Sequence, residues 1–85
     1  MLRPAIVALL ISAVASFTSA ARADDWGVCK DESASADAAI DACTRLIKAG
    51  KTRGNDLAIT YYNRAISFRQ KNDNDAALAD RKSVV

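Results

Sequence analysis

From residue 36 onward, apolar positions recur every three or four residues. No stretch alternates apolar and polar residues long enough to suggest a strand. The first periodic segment spans about Ala36 to Ala49, with Ala39, Ile40, Cys43, Leu46 and Ile47 on one stripe. Ser35 is suited to cap its start, while Asp37 and Lys48 complement the two ends of the helix dipole. Gly50 supplies the left-handed conformation that closes a helix. The polar run Lys51-Thr52-Arg53-Gly54 separates this segment from a second, capped by Asn55 or Asp56 and expected to reach about Lys71. Here Leu57, Tyr61, Ala65 and Phe68 form one stripe, and Ile59, Tyr62 and Ile66 form another, offset around the axis. A helix apolar over that much of its circumference is expected to have neighbours on both flanks, with its tyrosines and isoleucines hidden from water. Asn72 tolerates the left-handed backbone that ends such a helix, and Asp73 caps a third beginning near Asn74. Ala77, Leu78 and Val84 are expected to face inward from it. The predicted class is all-α, with about three helices.

The first 23 residues read differently. Arg3 makes a positive start, Ala5 to Ala15 is a mainly apolar run of 11 residues interrupted only by Ser12, and Ala21-Arg22-Ala23 matches a small-x-small cleavage pattern before Asp24. A span of the ~30 Å hydrocarbon core needs about 20 apolar residues, more than this run has. Residues 1–23 are therefore expected to be a signal peptide cut between Ala23 and Asp24. Residues 24–35 then form an N-terminal segment, and residues 36–85 the helical region. The mature chain is expected in the periplasm or secreted, without membrane insertion.

Removing Arg3 and Arg22 leaves 10 basic against 10 acidic residues. No basic excess remains for nucleic acid. With no histidine in the chain, imidazole catalysis and histidine metal ligation are excluded. The only two cysteines, Cys29 and Cys43, survive cleavage and would meet an oxidising compartment. A bridge between them closes a loop of about 15 residues, a stabilisation of ~3 kcal/mol in the chain-entropy model. The alternative is that Cys43 is a small buried residue with a free thiol. Catalytic thiol chemistry is disfavoured, because no C-x-x-C spacing or histidine is present to activate the sulfur. The acids Asp24, Asp25, Asp31 and Glu32 read as a solvated tail preceding any ordered element, with no calcium-loop spacing. No enzymatic activity, metal or cofactor is expected.

An internal repeat gives the helices a context. Asp37-Ala38-Ala39-Ile40 recurs as Asp75-Ala76-Ala77-Leu78, 38 residues on, and each copy opens a helix just after its cap. The segment from Tyr61 through Asp80 resembles the tetratricopeptide repeat, a helix-turn-helix unit of about 34 residues. Ala65 stands where the family places a small residue that lets paired helices approach. Phe68 matches its aromatic position, Ala77 matches the small residue of the second helix, and Tyr61 joins them as a packing residue. Trp26-Gly27-Val28-Cys29 and Ala42-Cys43-Thr44 are similar to segments of small exported bacterial members.

This resemblance covers residues 36–85 and implies helical hairpins amounting to fewer than two complete repeats. Arg81 occupies a position usually large and apolar, Val84 one usually small, and no closing proline follows. Such units bury their faces only against neighbours. The chain is thus expected to be a truncated relative of a longer protein, or else to complete its core by dimerising or docking on a partner.

The resemblance also implies binding of an unidentified protein or peptide in a concave groove. The groove would be lined by Tyr62, Asn63, Ile66 and Arg69, with Ile59 at its margin. Asparagine can pair with an extended backbone and arginine with a carboxylate. The alternative places Tyr62 and Ile66 in the core and leaves Asn63 and Arg69 merely solvated. The competing function class is a disulfide-stapled helical protein, or an incomplete remnant, that only self-associates.

Overall fold

The computed structural model describes residues 21–84, and these are all-helical, with no strand among them. Helix α1 spans Asp25–Lys30, α2 Ala36–Ala49, α3 Gly54–Gln70 and α4 Asn74–Lys82. The all-α expectation holds, but the described residues form four helices rather than three. The added one lies within the segment read as an unordered tail. Of the expected signal peptide, residues 1–20 lie outside the described residues. Among the described residues, no helix is long and apolar enough to cross a membrane.

Local chemistry sets most of the boundaries. The Ser35 hydroxyl accepts from the Ala38 N–H at 3.1 Å, and Gly50 closes α2 at φ 71°. Asn72 sits at φ 65°, and the Asp73 carboxylate accepts from the Ala76 N–H to start α4. One boundary differs from expectation. Helix α3 begins at Gly54 behind an extended Arg53 and has no side-chain cap, so Asn55 and Asp56 lie inside its first turn. Gly54 at φ 61° turns the chain there, ahead of both candidate caps.

Helix α3 packs against α2 on one flank, α4 on the other, and α1 more lightly. The interfaces consist of small side chains: Ala39, Ala42 and Cys43 from α2, Ala65 and Ser67 from α3, and Ala77 from α4 are all buried. Small residues at the contact allow helix axes to come close. Larger side chains line the seams half-buried, among them Ile40, Leu46, Ile47, Tyr61 and Phe68. The largest fully buried side chains are Thr60, Asp25 and Cys43.

Two expectations about burial are corrected. Leu78 is 51% exposed rather than inward, because α4 presents Ala77 and Asp80 to α3. Asp80 takes that place because its carboxylate grips Arg64 through two bonds of 2.7 and 2.8 Å. Helix α3 has its two neighbours, yet Tyr62 and Ile59 remain exposed, because α2 and α4 leave one face of it open.

Cys29 and Cys43 are bonded, with sulfurs 2.05 Å apart. Together with Ala42, and with Val28 and Leu46 packed alongside, they form the cluster that joins α1 to α2. At the other end of α1, Asp25 is buried and accepts from both Nε and Nη2 of Arg45, at 2.9 to 3.2 Å. The Asp25 carboxylate also takes the Arg22 backbone N–H at 2.6 Å. The acid read as part of a solvated tail is therefore an internal ion-pair partner. Arg45 on α2 supplies the counter-charge that a buried carboxylate requires.

Candidate functional site

The open face of α3 carries the candidate groove. Tyr62, Asn63, Ile66, Arg69 and Gln70 follow the three- and four-residue spacing that puts side chains on one helical face. Two depressions meet along this face. The larger, about 400 Å³, has α3 on one side (Tyr62, Asn63, Ile66, Ser67 and Gln70). Its opposite side is the end of α1 and the following turn (Cys29, Lys30, Asp31, Glu32 and Ala34). The smaller, about 240 Å³, lies toward α4 and is lined by Tyr62, Ala65, Ile66, Arg69 and Arg81. Tyr62 and Ile66 border both and form the ridge between them.

All four groove residues named from the sequence are thus brought together, and Tyr62, 55% exposed, is not a core residue. Ile59 is exposed one turn before Tyr62. The polar groups are only partly free. Asn63 donates its side-chain N–H to the Ile59 carbonyl at 2.8 Å, leaving the amide oxygen to accept from an occupant. Arg69 and Arg81 form no ion pair among the described residues. On the far wall, the Asp31 carboxylate accepts from the Ser33 N–H and hydroxyl at 2.9 and 2.7 Å. Those bonds to Ser33 hold its carboxyl below the usual range, which keeps the turn's charge in place. Lys30 lies 4.4 Å over the Trp26 ring, so the start of the wall carries an aromatic ring under a cation.

The packing residues lie between α3 and its neighbours, with Tyr61, Ala65 and Phe68 on α3 and Ala77 on α4. Ala65 and Ala77 are buried, and Tyr61 and Phe68 are half-buried on either side of Arg64, which lies 5.6 and 5.7 Å from their ring centres. Arg64 also donates to the Thr44 hydroxyl at 3.0 Å, so one guanidinium ties α2, α3 and α4 together. The Asp80 carboxylate beside it pushes the Arg64 pKa further above its ordinary value.

No family model, curated protein or solved structure matches the chain. The chemistry of the groove must therefore be read from its own residues. Among the described residues, no three Cys, Asp or Glu side chains converge as metal ligands would. The carboxylates of Asp25 and Asp80 are each taken up by an arginine.

Sequence reasoning missed two parts of the site. Arg81 was noted only as a charge in an apolar position, and that anomaly was the signal: a charge on an inward stripe belongs at an opening. For the α1 wall the one signal was the cysteine pair, which ties residue 29 to α2 but does not say that the tied segment faces α3. Its placement depends on the disulfide and on Asp25, which bring a distant segment against α3.

Proposed function

We propose that the chain is a protein-interaction module that takes a short extended segment of a partner along the open face of α3. One observation carries this reading: Tyr62 and Ile66 stand exposed or half-exposed where two depressions meet, with the uncompensated cations Arg69 and Arg81 beside them. An apolar ridge flanked by unpaired arginines favours a segment bearing an apolar side chain next to a carboxylate. The resemblance of Tyr61 through Asp80 to the tetratricopeptide repeat supports the same assignment, since that family binds peptides on its first helices. The apolar leader ending at Ala23 supports export to the periplasm, an oxidising place suited to the Cys29–Cys43 bond. Binding rather than catalysis, without cofactor or metal, is the activity proposed.

The test is selection of peptides from a random display library against the oxidised protein, followed by titration of the best peptide against variants. Tyr62→Ala should weaken binding by about 2 kcal/mol, as removal of an aromatic anchor does. Asn63→Ala with Arg69→Ala should weaken it further, and both variants should keep the parent's helical circular dichroism. Failure to enrich any peptide, or unchanged affinity in both variants, would refute the groove.

A second reading draws on Leu78, exposed on α4 away from the groove. There the chain would pair with a second copy through α4. Light scattering on Leu78→Lys decides it: a dimer that this variant splits favours self-association, and a monomer throughout dismisses it.

A further inference from the structure

We infer that the Cys29–Cys43 disulfide is a latch on the groove: it holds the wall made by the end of α1 and residues 31–34 against α3, and its reduction releases that wall while α2, α3 and α4 stay folded. This inference rests on the groove reading only for its consequence, that occupancy depends on the oxidised bond.

The argument starts from what ties the wall down. Helix α1 has six residues, far below the about 12 needed for a helix to persist unaided. Its N-terminal end is fixed by the Asp25–Arg45 pair. Its C-terminal end, where the wall begins, is fixed by Cys29, whose sulfur is bonded to α2 and lies 4.0 Å from the Thr60 carbonyl of α3. Beyond Cys29, the hydrogen bonds of residues 31–34 run only among themselves and back to Val28. Between Cys29 and the α2 cap at Ser35, then, the wall has no other polar tie to α2 or α3 among the described residues. The bundle behind it is held separately. Arg64 joins Thr44 to Asp80 across α2, α3 and α4, and none of these contacts involves α1.

Cys29 borders the larger depression but is only 2% exposed, and Cys43 is fully enclosed, so a reductant reaches the bond when the wall opens locally at Cys29. A small dithiol entering there attacks the Cys29 sulfur through one thiolate. The S–S bond breaks, Cys43 leaves as a thiolate and takes a proton, and Cys29 is held as a mixed disulfide with the reagent. The reagent's second thiolate then attacks its own sulfur in that mixed disulfide, expels the Cys29 thiolate and closes a cyclic disulfide. Two electrons pass from the dithiol to the protein pair. An occupant that touches the wall disfavours this opening, so binding and reduction oppose each other reciprocally.

Hydrogen exchange read by mass spectrometry on the full chain tests the latch, with and without dithiothreitol, in sucrose to favour the compact state. Reduction should speed exchange at the amides of residues 29–34 by tenfold or more. Those of α3 and α4 should stay within about twofold. A Cys29→Ser, Cys43→Ala variant should reproduce the reduced pattern without reagent, and Trp26, the only tryptophan, should shift in emission in both cases. Unchanged exchange at 29–34 would overturn the inference, as would loss of protection across the whole chain even in sucrose. A library-selected peptide should bind the reduced protein at least tenfold more weakly, and equal affinity with the wall released would overturn the latch's role. If no peptide binds even the oxidised protein, the groove reading fails, and the exchange pattern still decides whether the wall is latched.

Discussion

Removing either side of the Arg64–Asp80 pair should cost far more than removing both. The Asp80 side chain is 5% exposed and the Arg64 side chain 18%, and the carboxylate accepts two guanidinium bonds of 2.7 and 2.8 Å. Asp80→Leu leaves a largely enclosed cation facing an apolar side chain, and Arg64→Met strands the carboxylate. Breaking a buried pair in this way costs about 3–5 kcal/mol. The residual water at Arg64 places each single variant near the lower end, about 3 kcal/mol. The double variant Arg64→Met, Asp80→Leu strands neither charge, and Met and Leu can pack between Tyr61 and Phe68. Its remaining loss is the hydrogen bond to Thr44, about 1 kcal/mol for a half-buried hydroxyl that water can reach. Urea denaturation followed by circular dichroism, with all four proteins in the same stabilising osmolyte, gives the coupling directly. A double variant as unstable as the sum of the singles would refute the reasoning, and so would an Arg64→Met loss below about 1 kcal/mol.

The remaining predictions concern pH and one turn. Hydrogen bonding to Arg45 holds the Asp25 carboxyl below its ordinary value of 3.8 despite its burial. The unfolded chain therefore takes up this proton first as acid is added. Stability from the pair is full above about pH 4 and falls away as pH drops from there through the lower folded value. Asp25→Asn should accordingly flatten the acid limb of a stability–pH curve measured by urea midpoints, and an unchanged limb would show that the pair contributes nothing there. At Gly50, φ is 71° and an added Cβ would touch nothing within 4 Å, so Gly50→Ala isolates the backbone cost. That cost is about 1 kcal/mol, or about 4–8 °C in the thermal midpoint of so small a domain.

How far the fold was legible follows from which interactions are local. Ser35, Gly50, Asn72 and Asp73 act within a few residues of themselves, and their caps and turns were readable from residue type alone. The open face of α3 was readable too, since residues 62, 63, 66 and 69 share it by helical period. Asp25, Asp80 and Arg64 were not. Their placement depends on partners 16 to 20 residues away, and a charge reads as solvated until its counter-charge is positioned. The same non-local dependence hid α1, which is too short to declare itself by period. It also misplaced Leu78, because a buried aspartate claimed the inward face of α4.

The interior built from alanines, cysteines and a threonine has a thermal consequence. Unfolding such a protein wets less oily surface than unfolding one centred on leucine and phenylalanine, and newly wetted hydrocarbon is what makes heat capacity rise. The stability curve should therefore be shallow, with a per-residue heat-capacity increment below the usual ~12–15 cal/mol/K. The molecule would lose its structure gradually on warming and resist cold better than its size suggests.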